Sequence, residues 1–146
     1  VIYYPHFAGL VISTLTEMGA ISQEAVDAIE MIVAHESGGG RYLRQLNGPA
    51  LGVIQMEPRT HDSIWDNCDT IKKYAAKLGI KRNVTSLVWD LRYNVFMARC
   101  MLLMDPRPLP TDLIKLSKYL KDYYNTAGGA AKVDSYYEAL KRWQHG

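Results

Sequence analysis

Apolar residues recur along this chain at helical rather than strand spacing. Ala25, Ile29, Ile32 and Glu36 fall at i, i+4, i+7 and i+11, one face of a helix. Gln23, Asp27 and Glu30 fall on the opposite side, which the pattern assigns to solvent. Ser22 stands where the N-cap of that helix belongs. A preceding helix is expected over about Phe7 to Met18, stopped by Gly19 in the left-handed conformation. Asp69 opens a short helix that ends at Gly79. Thr85 or Ser86 begins a long one carrying Leu87, Leu91, Val95, Ala98 and Leu102 on one face. Pro106, Pro108 and Pro110 form a stiff connector after it. Thr111 then starts a helix through Leu113, Leu116, Leu120 and Tyr124, and Asp134 starts the last, with Tyr137, Leu140 and Trp143 inward. Strand-like alternation is confined to a few residues, Gly52 to Met56, so the expected class is mainly α with at most a minimal β-turn or ribbon there. No internal repeat and no low-complexity segment interrupts this pattern.

At 146 residues the chain is expected to form one domain spanning 1–146, long enough to bury a core. A composition of 48% hydrophobic and 22% charged residues is ordinary for a globular chain. No apolar run reaches the ~18 residues of a membrane span, so no stable membrane insertion is expected. The start, Val1-Ile2-Tyr3-Tyr4-Pro5, lacks the basic and apolar regions of a signal peptide, and the missing initiator Met leaves room for a leader or larger precursor removed upstream. Net charge is +2, and the seventeen Lys and Arg are scattered without a continuous stripe, which argues against a nucleic-acid partner. Cys68 and Cys100 are read as reduced thiols, although one disulfide is open to them. The four His fit no metal-ligand spacing, and no metal or cofactor is implied.

The informative residue is Glu36. It continues a buried stripe, where desolvation disfavours the charged carboxylate. It also stands at a helix C-terminus, where the backbone dipole disfavours negative charge. Both effects favour an acid that keeps its proton near neutral pH, as a general acid requires. The competing reading pairs Glu36 with Arg41 or Arg44 across the three glycines that follow it.

The company Glu36 keeps resembles a family. "HESGGG" followed by "GVIQMEP" is similar to the catalytic segment of the lysozyme-like lytic transglycosylases and goose-type lysozymes. "DYYNTAGG", about ninety residues beyond the Glu, is similar to their Ala-Tyr-Asn-Ala-Gly segment. The intervening helix with Asn94 and Ala98 resembles their central helix, so the likeness runs over about Ser22 to Leu140. The departures are Tyr123 and Thr126 in place of Ala, Val53-Ile54 in place of Leu-Met, and an extra residue or two between Asn125 and Val133.

The resemblance implies a lysozyme-like helical domain that cleaves the β-1,4 bond between N-acetylmuramic acid and N-acetylglucosamine in peptidoglycan. Carried over by motif, Glu36 is the catalytic acid and Ser37 helps to orient it. Gln55 and Asn125 bind the saccharide, and the Tyr124 hydroxyl reaches the Glu36 carboxyl. Glu57, two residues past Gln55, stands where the goose-type lysozymes carry a water-positioning carboxylate and the transglycosylases an apolar residue. It therefore points to hydrolysis, but Glu57-Pro58 equally fits a helix start favoured by the dipole. Hydrolysis and transglycosylation stay open on this evidence. His61, Asp62 and Trp65 are further candidates to line the cleft, with a core role for Trp65 the alternative. The expected partner is the peptidoglycan glycan strand and the expected state a monomer. The expected setting is the bacterial cell wall, reached by a phage lysis or virion enzyme, with an exported bacterial or host-defence enzyme the alternative. The rivals are a non-catalytic glycan-binding or structural virion protein with the same fold, and a helical interaction module in which Glu36 is only surface charge.

Overall fold

A computed structural model describes residues 1–124 and 135–146. Among these residues the chain forms eight helices and no sheet: α1 (Tyr4–Met18), α2 (Gln23–Ser37), α3 (Pro58–Asn67), α4 (Ile71–Leu78), α5 (Ser86–Trp89), α6 (Leu91–Leu103), α7 (Leu113–Tyr123) and α8 (Ser135–His145). The mainly helical class expected from the periodicity is therefore the observed one.

Helix α2 is the axis of the molecule. It packs most extensively on α8 and also meets α1, α7 and α6. Being wrapped on several sides, it buries Ala25, Val26, Ala28, Ile29, Met31, Ile32, Val33 and Ala34 rather than a single stripe. That arrangement corrects the assignment of Glu30 to solvent. Glu30 is only 3% exposed. Its carboxyl accepts a 2.7 Å hydrogen bond from the Tyr4 hydroxyl, which in turn accepts one from Gln144 at 3.1 Å.

The caps at the start of the chain act as their residue types dictate. Gly19 stops α1 at φ 72°, and the Ser22 hydroxyl accepts from the Ala25 amide at 3.1 Å. The helix predicted from Thr85 is two helices instead. Asp90 adopts φ −103°, ψ 101°, ends α5, and caps α6 by accepting from the Tyr93 amide at 3.0 Å. The apolar stripe continues across this break, so periodicity alone could not reveal it. The last helix is rotated relative to expectation. Tyr136, Ala139 and Leu140 are buried, whereas Tyr137 and Trp143 are only partly so.

The ribbon element reduces to two isolated antiparallel bridges, Arg44 with Leu51 and Leu51 with Met56. Cys68 and Cys100 are both free and buried, and burial pushes the Cys100 thiol up from its ordinary ionisation range. No described helix is long and apolar enough to cross a membrane.

Candidate functional site

The turn after the glycine loop is built on α5 and α6. Gly52 has φ 77°, and a Cβ there would collide with the Leu87 carbonyl and the Asn94 side-chain oxygen. Only glycine fits so close a backbone approach. Asn94, 1% exposed, holds the junction together. Its amide nitrogen donates to the carbonyls of Leu87 and Asp90, each at 2.8 Å, and its oxygen accepts from the Ile54 amide at 3.4 Å. Leu51 and Met56 close the turn with reciprocal backbone bonds of 2.9 and 3.0 Å. Within it Gln55 sits at φ 48°, a left-handed conformation uncommon for a residue with a side chain. Its amide nitrogen folds back onto the Gly52 carbonyl at 2.9 Å. The side-chain oxygen has no partner among the described residues.

Glu36 lies one residue before the end of α2, with its side chain 18% exposed. Both described contacts fall on one oxygen. Oε2 accepts from the Tyr136 hydroxyl at 2.6 Å and lies 3.1 Å from His35 Nδ1. Tyr136 comes from α8 and is fully buried, and the His35 ring lies tilted against it with centroids 4.0 Å apart. Neither Arg41 nor Arg44 forms an ion pair with Glu36.

Tyr124, expected to reach Glu36, donates instead to the Ile54 carbonyl at 2.8 Å. It remains close enough for the charge of Glu36 to add to the effect of burial, and both push its phenol well above the usual range. Tyr124 thus ties the end of α7 to the turn, and the tyrosine on the acid is Tyr136. The sequence signal for Tyr136 was present but ambiguous. Two adjacent tyrosines follow Ser135 in α8, and a stripe drawn through Leu140 admits both, Tyr136 at i−4 and Tyr137 at i−3.

Ser37 is fully buried, and its hydroxyl is committed to the backbone. It donates to the Val33 carbonyl at 3.1 Å and accepts from the Gly40 amide at 3.0 Å. It therefore does not orient Glu36 by a hydrogen bond, nor can it touch a substrate directly. Its role is to shape the Gly38–Gly40 turn. That turn is seated by both ends of the chain: the Ile2 amide donates to the Gly39 carbonyl at 2.8 Å, and a Cβ on Gly39 would meet the Trp143 indole at 2.7 Å.

Glu57 occupies the N-cap position of α3, ahead of Pro58, but its side chain makes no capping bond. No described group forms a hydrogen bond or ion pair with that carboxylate, which is partly buried. Asn125 lies outside the described residues.

His61 and Trp65, read as possible cleft residues, belong to the core around Tyr93. The Tyr93 hydroxyl accepts from Trp65 Nε1 at 3.0 Å and from the Asn83 amide at 3.2 Å. Its own proton must then go to His61 Nε2, 2.6 Å away. His61 consequently carries its proton on Nδ1, which it gives to Asp62 at 2.9 Å. Burial lowers the His61 pKa, in keeping with a neutral ring.

The molecule thus holds two acids on α2, distinguished by access. Glu30 is enclosed, and burial raises its pKa to about 7 against the opposing hydrogen bond from Tyr4. Glu36 is partly open, and Tyr124, near enough to feel its charge, bonds the turn that carries Gln55. Only the second can meet a ligand. No group of three His, Cys, Asp or Glu that could hold a metal occurs among the described residues. No protein-family model, no curated protein and no solved structure matches the chain.

Proposed function

We propose that this chain is a peptidoglycan glycosidase of lysozyme-like fold, cleaving the β-1,4 bond between N-acetylmuramic acid and N-acetylglucosamine at the bacterial cell wall. The observation that carries this reading is Glu36, an anchored and accessible carboxyl at the end of a buried helix. A general acid must be held in place and yet be reachable by the leaving oxygen. The Tyr136 bond supplies the first requirement and the partial exposure the second. Gln55 supports the reading as a polar group on a rigid turn, suited to hydrogen-bonding an N-acetyl or hydroxyl group.

In this reaction Glu36 gives its proton to the glycosidic oxygen as the bond to the anomeric carbon breaks. In hydrolysis a water attacks that carbon and yields its proton to a carboxylate, Glu57 or Glu36 itself. In transglycosylation the 6-hydroxyl of the same muramoyl residue attacks, and its proton returns to Glu36. Among the described residues the side chain of Glu57 has no hydrogen-bond or ion-pair partner, which is compatible with water positioning, so hydrolysis is the preferred branch. A phage lysis or virion enzyme is the setting we favour.

Mass spectrometry of products from purified peptidoglycan tests the proposal. Muropeptides with reducing ends identify the hydrolase and those with 1,6-anhydro ends the transglycosylase. If wild type and Glu36→Gln both release none, the chain is not a glycosidase, and a glycan-binding virion component becomes the reading to pursue.

A further inference from the structure

Oε2 of Glu36 has two described neighbours, and Oε1 has none among the described residues. The 2.6 Å separation from Tyr136 falls in the range of a hydroxyl donating to a charged or strongly basic oxygen. An oxygen that already carries a proton is a poor acceptor for so short a bond. His35 reinforces the asymmetry, because Nδ1 lies 3.1 Å from the same atom. Its ring is not free to turn away, being packed against the buried face of Tyr136 and only 19% exposed. The resemblance gives this histidine no role, although it opens the segment "HESGGG".

We propose that His35 is a positioning residue: donating from Nδ1 together with Tyr136, it occupies Oε2 of Glu36 and confines the transferable proton to Oε1. The inference rests on the glycosidase reading for its purpose, but its geometry stands on its own. When Glu36 is neutral, the proton sits on the one oxygen that no described side chain engages. When Glu36 is ionised, the same two donors hold the anion in register for the next proton. Neither Tyr124 nor Ser37 competes for the carboxyl, since their hydroxyls donate to the carbonyls of Ile54 and Val33. The arrangement requires neutral His35 to be the Nδ1–H tautomer, which is an observable property.

Nitrogen NMR of histidine-labelled protein at neutral pH reads that tautomer directly. The expected result is Nδ1–H for His35 in the wild type, reverting toward Nε2–H in Glu36→Ala. Kinetics on peptidoglycan fragments supply the second measurement. His35→Asn keeps an N–H near the position of Nδ1 and should stay within about threefold of the wild-type kcat. His35→Ala should lose about tenfold or more in kcat at unchanged KM, because a loosened acid misplaces its proton without weakening binding. An Nε2–H tautomer in the wild type overturns the proposal. So does a kcat that falls equally in both variants or in neither. If the wild type cleaves nothing, the glycosidase reading fails, and the tautomers of wild type and Glu36→Ala alone decide whether His35 holds the carboxyl.

Discussion

At the scale of single residues, the two tyrosines near Glu36 separate by what their hydroxyls hold. Tyr136→Phe removes the 2.6 Å bond to the acid and should lower kcat well beyond any loss of stability. Tyr124→Phe removes a bond to the Ile54 carbonyl and should cost about 0.5–1.5 kcal/mol of stability with the smaller effect on kcat. Steady-state kinetics beside urea denaturation of both variants checks the contrast, and the reverse order would restore Tyr124 as the partner of the acid. Glu36→Gln should keep the fold and lose ~10²–10⁴-fold in rate, since an amide has no such proton to give. A variant retaining more than a tenth of the wild-type rate would remove Glu36 from the chemistry. The sequence marked Glu36 by helical spacing and the turn by its glycine. It did not separate Tyr136 from Tyr137, because which of two neighbours faces inward depends on how α8 is rotated against α2. His35 left no trace in periodicity at all.

At the scale of elements, the junction between the turn and the α5–α6 break is the least tolerant part of the site. Gly52→Ala forces a side chain into a left-handed residue at about 1–2 kcal/mol and drives its Cβ into the Leu87 carbonyl besides. Thermal denaturation should show a loss of at least ~3 kcal/mol, and a smaller one would mean that the turn relaxes easily. Asp90→Ala removes the α6 cap and should cost about 0.5–2 kcal/mol by the same measurement. Capping chemistry made Gly19 and Ser22 legible because each terminates a visible pattern. Asp90 was hidden, since Leu87 and Leu91 keep helical spacing across the break and only the backbone turns between them.

At the scale of the whole molecule, a central α2 makes pH a global variable. Glu30 was read as solvent-facing because a stripe needs only one buried side, whereas α2 has several. Burial raises its pKa to about 7, above the ordinary glutamate value of 4.5. The folded state therefore binds the proton more tightly, so Glu30 contributes most below pH 4.5 and this contribution is lost as pH rises through 7. His61 acts in the opposite sense. With its pKa lowered from 6.5, its contribution is present above that value and is lost as pH falls. Urea midpoints of wild type and Glu30→Gln at pH 5 and pH 8 isolate the first effect, because His61 is common to both proteins. Glu30→Gln should gain about 2–3 kcal/mol on wild type between those two values. A pH-independent difference would mean that Glu30 ionises as freely in the folded protein as in the unfolded chain.

The bond from Tyr136 to Glu36 joins residues separated by 100 positions. During translation, at about 5–20 residues per second, α2 emerges many seconds before the helix that must anchor its carboxyl. The Gly38–Gly40 turn meanwhile lacks Trp143, against which it is finally seated. A nascent chain on the ribosome would therefore have its acid and the neighbouring His35, but not the tyrosine that completes the anchor. The carboxyl of Glu36 thus gains its full set of described contacts only once α8 has been made and docked.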